Sequence, residues 1–113
     1  MENILSLATE LGQRIARHER YVQLRAAEDA ADADQETKDL LAAFEAQRKK
    51  MADLEAKQQP IEPNDKHELQ RLDNAVHASQ SLQRLAKAQA DYMELMNRVN
   101  AAIRKELDGS PQS

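Results

Sequence analysis

Apolar residues recur three and four positions apart along almost the whole chain, and this period most constrains how it can fold. Side chains at this spacing share one face of an α-helix, whereas those of a half-buried strand alternate every second residue. The clearest run lies near the C-terminus, where the positions in register are Leu82, Leu85, Gln89, Tyr92, Met96, Val99 and Ile103. We therefore predict an all-α fold with about five amphipathic helices.

The composition supports this prediction. Ala, Glu, Lys, Leu and Arg make up 59 of the 113 residues, as is typical of long helices and coiled coils. Val, Ile and Thr together number only nine, so a sheet would lack its usual residues. The length is that of one domain.

Breaks in the helical pattern are few. Pro60 and Pro63 cannot both lie inside a helix, and each disfavours helical geometry at the preceding residue, so a hinge is predicted near 58–65. Asp34 and Ser79 are predicted to cap the helices that follow them. The N-terminal stripe begins at Ile4 and keeps helical spacing past His18 as far as Val22.

Two of the predicted helices are long. Residues 35–58 and 80–107 would span roughly 36 Å and 42 Å, with a shorter helix near 64–77 between them. We expect the long pair to run antiparallel with coiled-coil-like packing. Residues 1–107 are predicted to form a single helical domain, and residues 108–113 a flexible tail.

The last helix presents more apolar surface than the other helices can cover. Soluble monomers rarely leave such a ridge in water, so we predict a homodimer or a heteromer with a paralogue. The predicted interface residues are Leu82, Leu85, Gln89, Tyr92, Met96, Val99 and Ile103.

Three further residues carry predictions about packing. Gln47 and Gln89 lie within apolar stripes, where they could fix helix register against each other or could reach water at the edge of the seam. Gly12 lowers helix propensity, and we interpret it as a site of close helix–helix approach rather than a tolerated weak spot.

No catalytic, cofactor-binding or metal-binding residue can be identified. The chain has no cysteine, which excludes disulfides and thiolate ligands. His67 and His77 are about three turns apart, and His18 has no partner at ligand spacing. Asp32 and Asp34 are interpreted as part of a helix junction. We predict that the protein is not an enzyme.

Direct RNA binding is the alternative function, through the only dense basic cluster, Arg48-Lys49-Lys50. Acidic residues flank the cluster at helical spacing, and no aromatic side chain is interleaved on which a base could stack. The net charge of −4 also disfavours nucleic acid. No apolar run is long enough for a membrane span, so we expect a cytoplasmic protein.

Three groups of residues follow one another along the chain. The N-terminal group contains Ala8, Leu11-Gly12, Ile15, Tyr21, Leu24 and Ala27. The central group contains Asp34, Leu41, Phe44 and Gln47. The C-terminal group contains Leu82, Leu85, Ala88-Gln89, Tyr92, Leu95, Val99-Asn100 and Ile103. In order and spacing, from Ile4 to Ile103, these groups together resemble the YlbF/YmcA family of small helical bacterial proteins.

The resemblance implies a non-catalytic regulator that associates through its long helices. Members of this family form a complex that assists an endoribonuclease in RNA processing, and they influence competence, sporulation and biofilm formation. Some members bind an iron–sulfur cluster through cysteines. This chain has none, so no cofactor is expected.

Overall fold

The computed structural model describes residues 1–109, of which five helices make up 90%. The helices are α1 (Glu2–Arg17), α2 (Glu19–Ala33), α3 (Gln35–Ala56), α4 (Pro63–Ala78) and α5 (Gln80–Asp108). No strand occurs within residues 1–109. The predicted all-α class with two long helices, α3 and α5, is confirmed, whereas coiled-coil packing and dimerisation stay predictions. None of the described helices is both long and apolar enough to cross a membrane.

The break between the first two helices was not predicted from the sequence. The N-terminal stripe does not continue past His18, because α1 ends there and α2 begins at Glu19. The His18 backbone is extended, and its Nδ1 accepts a hydrogen bond from the Arg20 N–H at 3.0 Å. His18 thus ends one helix and satisfies a free donor at the start of the next. An apolar spacing cannot reveal such a break, because the stripe keeps its period across it.

Two predicted caps are confirmed. The Asp34 carboxylate accepts hydrogen bonds from the Thr37 N–H at 3.3 Å and the Thr37 hydroxyl at 2.8 Å. Ser79 Oγ accepts from the Leu82 N–H at 3.3 Å. Each acceptor satisfies a first-turn donor that has no partner inside the helix.

The segment between α3 and α4 contains both prolines of the predicted hinge. α3 ends two residues before the predicted boundary, and Gln58 follows in left-handed backbone geometry with φ 56°. Pro63 occupies the start of α4, where a missing N–H carries no cost. At the other end of the chain α5 continues through Asp108, the first residue of the predicted tail. Residues 110–113 of that tail lie outside the described residues.

The chain divides into two compact units whose boundaries fall inside α2 and α5. The first unit comprises residues 1–27 and those from Leu85 onward. Its core consists of Leu24, Ala27 and Ala88, against which Leu85 and Tyr92 pack. The single-domain prediction stays a prediction.

The second unit comprises residues 28–84, and α3 packs against α4 within it. Leu72 of α4 is buried, as is Thr37 beside the Asp34 cap. Gln47 is half-buried and donates from Nε2 to the Asp65 carbonyl at 2.9 Å, which joins α3 to the start of α4. The hydrogen-bond partner of Gln47 is therefore a backbone group and not Gln89. Gln89 is exposed, which agrees with the alternative that it reaches water at the edge of the seam.

The expected role of Gly12 is wrong for contacts within the chain. A β-carbon added at Gly12 would meet nothing within 4 Å, so no helix approaches closely there. The physical reason is that α1 contributes no buried residue at all.

Candidate protein-interaction surface

The seven residues of the predicted α5 interface occupy different environments. Leu85 and Tyr92 are partly buried against the core of the first unit. Leu82, Met96 and Val99 are half-buried, whereas Gln89 and Ile103 are exposed. The N-terminal part of the stripe therefore already packs within the chain. The surface available to a partner lies nearer the end of α5, where Ile103 is 49% exposed.

Packing of α2 against α5 explains why the stripe divides in this way. The rings of Tyr21 and Tyr92 lie 5.7 Å apart between centroids at a tilted angle, a favourable aromatic geometry. Arg20 Nη1 donates to the Asp91 carbonyl at 3.0 Å and to Glu94 Oε1 at 3.3 Å. These contacts end near Glu94, after which the stripe is half-buried at Met96 and Val99 and exposed at Ile103.

Large exposed apolar side chains concentrate in the first unit. They lie on α1, once on α2 and on the later part of α5; the set is Met1, Ile4, Leu5, Leu7, Leu11, Val22, Met93, Ile103 and Leu107. Single exposed apolar residues are ordinary, but so many on a few helices make these helix faces candidates for association. The stripe on α1 was visible in the sequence. Its exposure from Met1 to Leu11 was not, because an apolar period does not show whether another element covers it.

The basic cluster of the RNA-binding alternative is largely engaged within the chain. Arg48 pairs with Glu45 at 3.5 Å, and its guanidinium carbon lies 5.6 Å from the centroid of the Phe44 ring. Lys50 Nζ lies 2.8 Å from Asp65 Oδ1, and this hydrogen bond lowers the pKa of the Asp65 carboxyl. Two of the three cations thus already have partners that a phosphate would need to displace.

The titratable residues of the described chain form no recognisable reactive cluster. No group of three or more His, Asp or Glu side chains within residues 1–109 could hold a metal ion. His67 is exposed, and His77 Nδ1 lies 2.8 Å from the Asp73 carbonyl of its own helix. Asp34 has a lowered pKa because Thr37 donates to it, which is the signature of a cap.

Comparison with known proteins assigns the chain to a family. The family model described as "Control of competence regulator ComK, YlbF/YmcA" matches residues 4–108. No curated protein matches the sequence. Among solved structures, a crystal structure of Bacillus subtilis RicA in complex with RicF is similar to the fold, with a TM-score of 0.83. The two sequences are 13% identical, and the match covers 95% of each chain. The family match spans all five helices and confirms the resemblance seen in the sequence: the chain belongs to the YlbF/YmcA family of regulatory proteins.

Proposed function

We propose that this protein is a non-catalytic regulator that acts by binding other proteins through its exposed apolar helix faces. The observation that carries the proposal is the concentration of exposed large side chains on α1 and the later part of α5. Burying such side chains against a partner removes apolar area from water and drives association. Membership of a regulatory family supports the same role.

The partner we propose is a second copy of the chain or a paralogue from the same family. The similar fold of RicA was solved in complex with RicF, which supports a heteromer as one form of this assembly. The interface we propose on α5 is drawn from the predicted set Leu82, Leu85, Gln89, Tyr92, Met96, Val99 and Ile103, and it centres on the later residues because Leu85 and Tyr92 already pack within the chain. Of these, Ile103 offers the most accessible large apolar side chain. The family role implies cytoplasmic assistance to RNA processing, with effects on competence, sporulation or biofilm formation.

Capture from the native host tests this proposal with a matched pair of variants. Ile103→Glu places a charge on the exposed apolar face, and the side chain is accessible enough for the fold to tolerate it. Lys105→Glu changes charge two residues later, on the opposite side of the same helix. We expect tagged wild-type and Lys105→Glu protein to capture a family member, identified by mass spectrometry, and Ile103→Glu to lose it. Equal capture by both variants would contradict an α5 interface.

RNA binding is separated from this proposal by its salt dependence. Contacts between lysine or arginine and phosphate weaken steeply as salt rises, whereas burial of apolar surface does not. We expect generic single-stranded RNA to bind more weakly than ~10 µM at physiological salt. Submicromolar binding at physiological salt that weakens steeply as salt rises and is lost when Lys49 is replaced by Glu would favour the RNA-binding alternative.

A further inference from the structure

At the junction between α1 and α2, a histidine ring takes the place of a backbone acceptor. His18 separates the two helices in extended geometry, with φ −71° and ψ 142°. Its Nδ1 accepts from the Arg20 N–H at 3.0 Å. In an uninterrupted helix the same N–H would donate to the Ala16 carbonyl, four residues earlier. The hydrogen bond to the ring therefore stabilises the break, as a capping side chain does.

The sequence around the junction does not itself require a break. Neither proline nor glycine occurs between Gln13 and Ala33. Ile15 and Val22 lie two helical turns apart, so the apolar stripe keeps its period across His18. A single helix through His18 would also give backbone acceptors to the N–H groups that begin α2. The joined helix is therefore a second conformation open to this segment.

Little tertiary packing fixes the direction of α1. None of its residues is buried, and within this helix Ile15 alone is half-buried. α2 is held more firmly, because Leu24 and Ala27 belong to the core of the first unit. A change at the junction would thus turn α1 without disturbing a buried side chain of that helix. One hydrogen bond at His18 therefore has a large influence on the balance between the two conformations.

The Nδ1 acceptor exists only while the His18 ring is neutral. A neutral imidazole has one N–H and one acceptor nitrogen, whereas the protonated ring has an N–H at both positions. Histidine is also the side chain that ordinarily changes charge between about pH 5 and pH 8. In the protonated ring Nδ1 is a donor that meets the Arg20 N–H, itself a donor, so the hydrogen bond is lost.

The surrounding charges change this balance by less than the hydrogen bond does. They are Arg14 and Arg17 on α1, Glu19 and Arg20 on α2, and Asp91 and Glu94 on α5, which Arg20 contacts. In the joined helix Arg14 would lie one turn before a protonated His18, where like charges repel. Arg14 already pairs with Glu10 at 3.2 Å, and repulsion at this spacing is weaker than the loss of a cap. Protonation therefore favours the joined helix.

We propose that His18 is a pH-sensitive switch between two conformations: its neutral ring keeps α1 and α2 as separate helices, and its protonation favours one continuous helix. In the continuous form the apolar stripe of α1 runs straight on to Val22, which is 48% exposed. The two forms therefore point the stripe of α1 in different directions, and pH selects between them. The inference goes beyond the proposed function, because it concerns the conformation of the single chain and holds whatever the chain binds.

Distances between two spin labels test the switch, because the chain has no native cysteine to compete for labelling. Ser6→Cys on α1 and Gln23→Cys on α2 place the labels at exposed positions on either side of His18. In one continuous helix these positions lie about 26 Å apart along the axis. Labelled chain diluted into excess unlabelled chain reports distances within one molecule only.

We expect acidification to increase the population at the continuous-helix distance. The ratio of continuous to broken chains should rise about fivefold from about pH 7.5 to about pH 5.5, which is the effect of losing a typical cap. An unchanged ratio would overturn the inference.

Glu19→Pro fixes the broken form and supplies its reference distance. Proline suits the first position of a helix, and it disfavours helical geometry at the residue before it, here His18. The variant should show the broken distance at both pH values. A rise equal to that of the wild type would overturn the inference, because joining the helices would place a proline inside a helix.

Two substitutions at His18, which is exposed, separate its titration from that of other groups. Asparagine caps a helix but does not titrate in this range, so His18→Asn should stay broken at both pH values. Alanine caps poorly, so His18→Ala should have the higher ratio at both. Both variants retain the other histidines, His67 and His77. A pH-dependent shift in His18→Asn would therefore assign the effect to another group and overturn the inference.

The tautomer of the ring provides an independent measurement. If Nδ1 accepts, the neutral ring carries its proton on Nε2. Nitrogen-15 spectra of the His18 ring, assigned by comparison with His18→Asn, should show this tautomer at about pH 7.5 and both nitrogens protonated at about pH 5.5. A neutral ring with its proton on Nδ1 would overturn the inference, because that ring could not accept from Arg20.

Discussion

At the scale of single residues, a few polar side chains define where the helices begin. Asp34 and Ser79 could be recognised from the sequence, because Asp and Ser directly before an apolar helical period are preferred caps. His18 could not, because histidine is not among the preferred capping residues. Its ring nitrogen acts as an acceptor only once the local backbone has turned.

The Asp34 cap makes stability depend on pH. The Thr37 hydroxyl and N–H donate to the carboxylate and lower its pKa below the usual 3.8. Since the folded-state pKa is the lower one, the stabilisation is present above the unfolded pKa and is lost as pH falls through the folded value. We expect the melting temperature, followed by circular dichroism, to fall as the solution is acidified below about pH 5.

Asp34→Asn isolates this contribution, because asparagine still caps a helix but does not titrate in this range. We expect the variant to lose less stability on acidification than the wild type. Asp65 keeps its own contribution in both proteins, since Lys50 lowers its pKa independently. Identical acid dependence in the two proteins would contradict the assignment.

At the scale of elements, the C-terminus of α3 has a residue that is unfavourable for its backbone conformation. The Gln59 N–H donates to the Leu54 carbonyl at 2.8 Å and the Gln58 N–H to the Glu55 carbonyl at 3.0 Å, which together form a Schellman motif. The left-handed position of this motif favours glycine, but glutamine occupies it with φ 56°.

Gln58→Gly should therefore stabilise the protein. We expect the free energy of unfolding to rise by about 1 kcal/mol, because a side chain in left-handed geometry costs about that much. Urea denaturation followed by circular dichroism measures the change. Gln59→Gly is the matched control, since Gln59 does not have a positive φ and should gain nothing. A loss of stability in Gln58→Gly would contradict this expectation. It would show that contacts of the glutamine side chain stabilise the fold by more than its left-handed backbone geometry destabilises it.

At the scale of the whole chain, burial depends on a few small and medium side chains. The buried apolar residues of the described chain are Leu24, Ala27, Ala31, Leu72 and Ala88. Alanine lets helices pack closely but buries little area. Each larger buried side chain therefore carries a large share of the stability.

Leu72→Ala should destabilise the protein by about 2–5 kcal/mol, because Leu72 is only 4% exposed and its removal leaves a cavity. Leu107→Ala makes the same chemical change at a side chain that is 79% exposed. We expect it to cost less than about 0.5 kcal/mol. Urea midpoints of both variants, at a concentration where assembly is held constant, measure the difference. Equal midpoints would contradict the assigned burial of Leu72.

The sequence by itself determined the local features of this protein. Helical spacing predicted the all-α class, the prolines predicted the break between α3 and α4, and Asp34 and Ser79 predicted two caps. These features depend on residues within a turn or two of one another, so they can be seen without the rest of the chain. The combined pattern of three segments also indicated the family.

Only the tertiary structure decided which apolar faces are covered. The same α5 stripe contains Tyr92, which packs on the core, and Ile103, which faces solvent. No residue of α1 is buried although its stripe is as regular as any other. A period identifies the side of a helix that is apolar, but burial requires another element within reach. That depends on how the helices are placed in space, which no local spacing encodes.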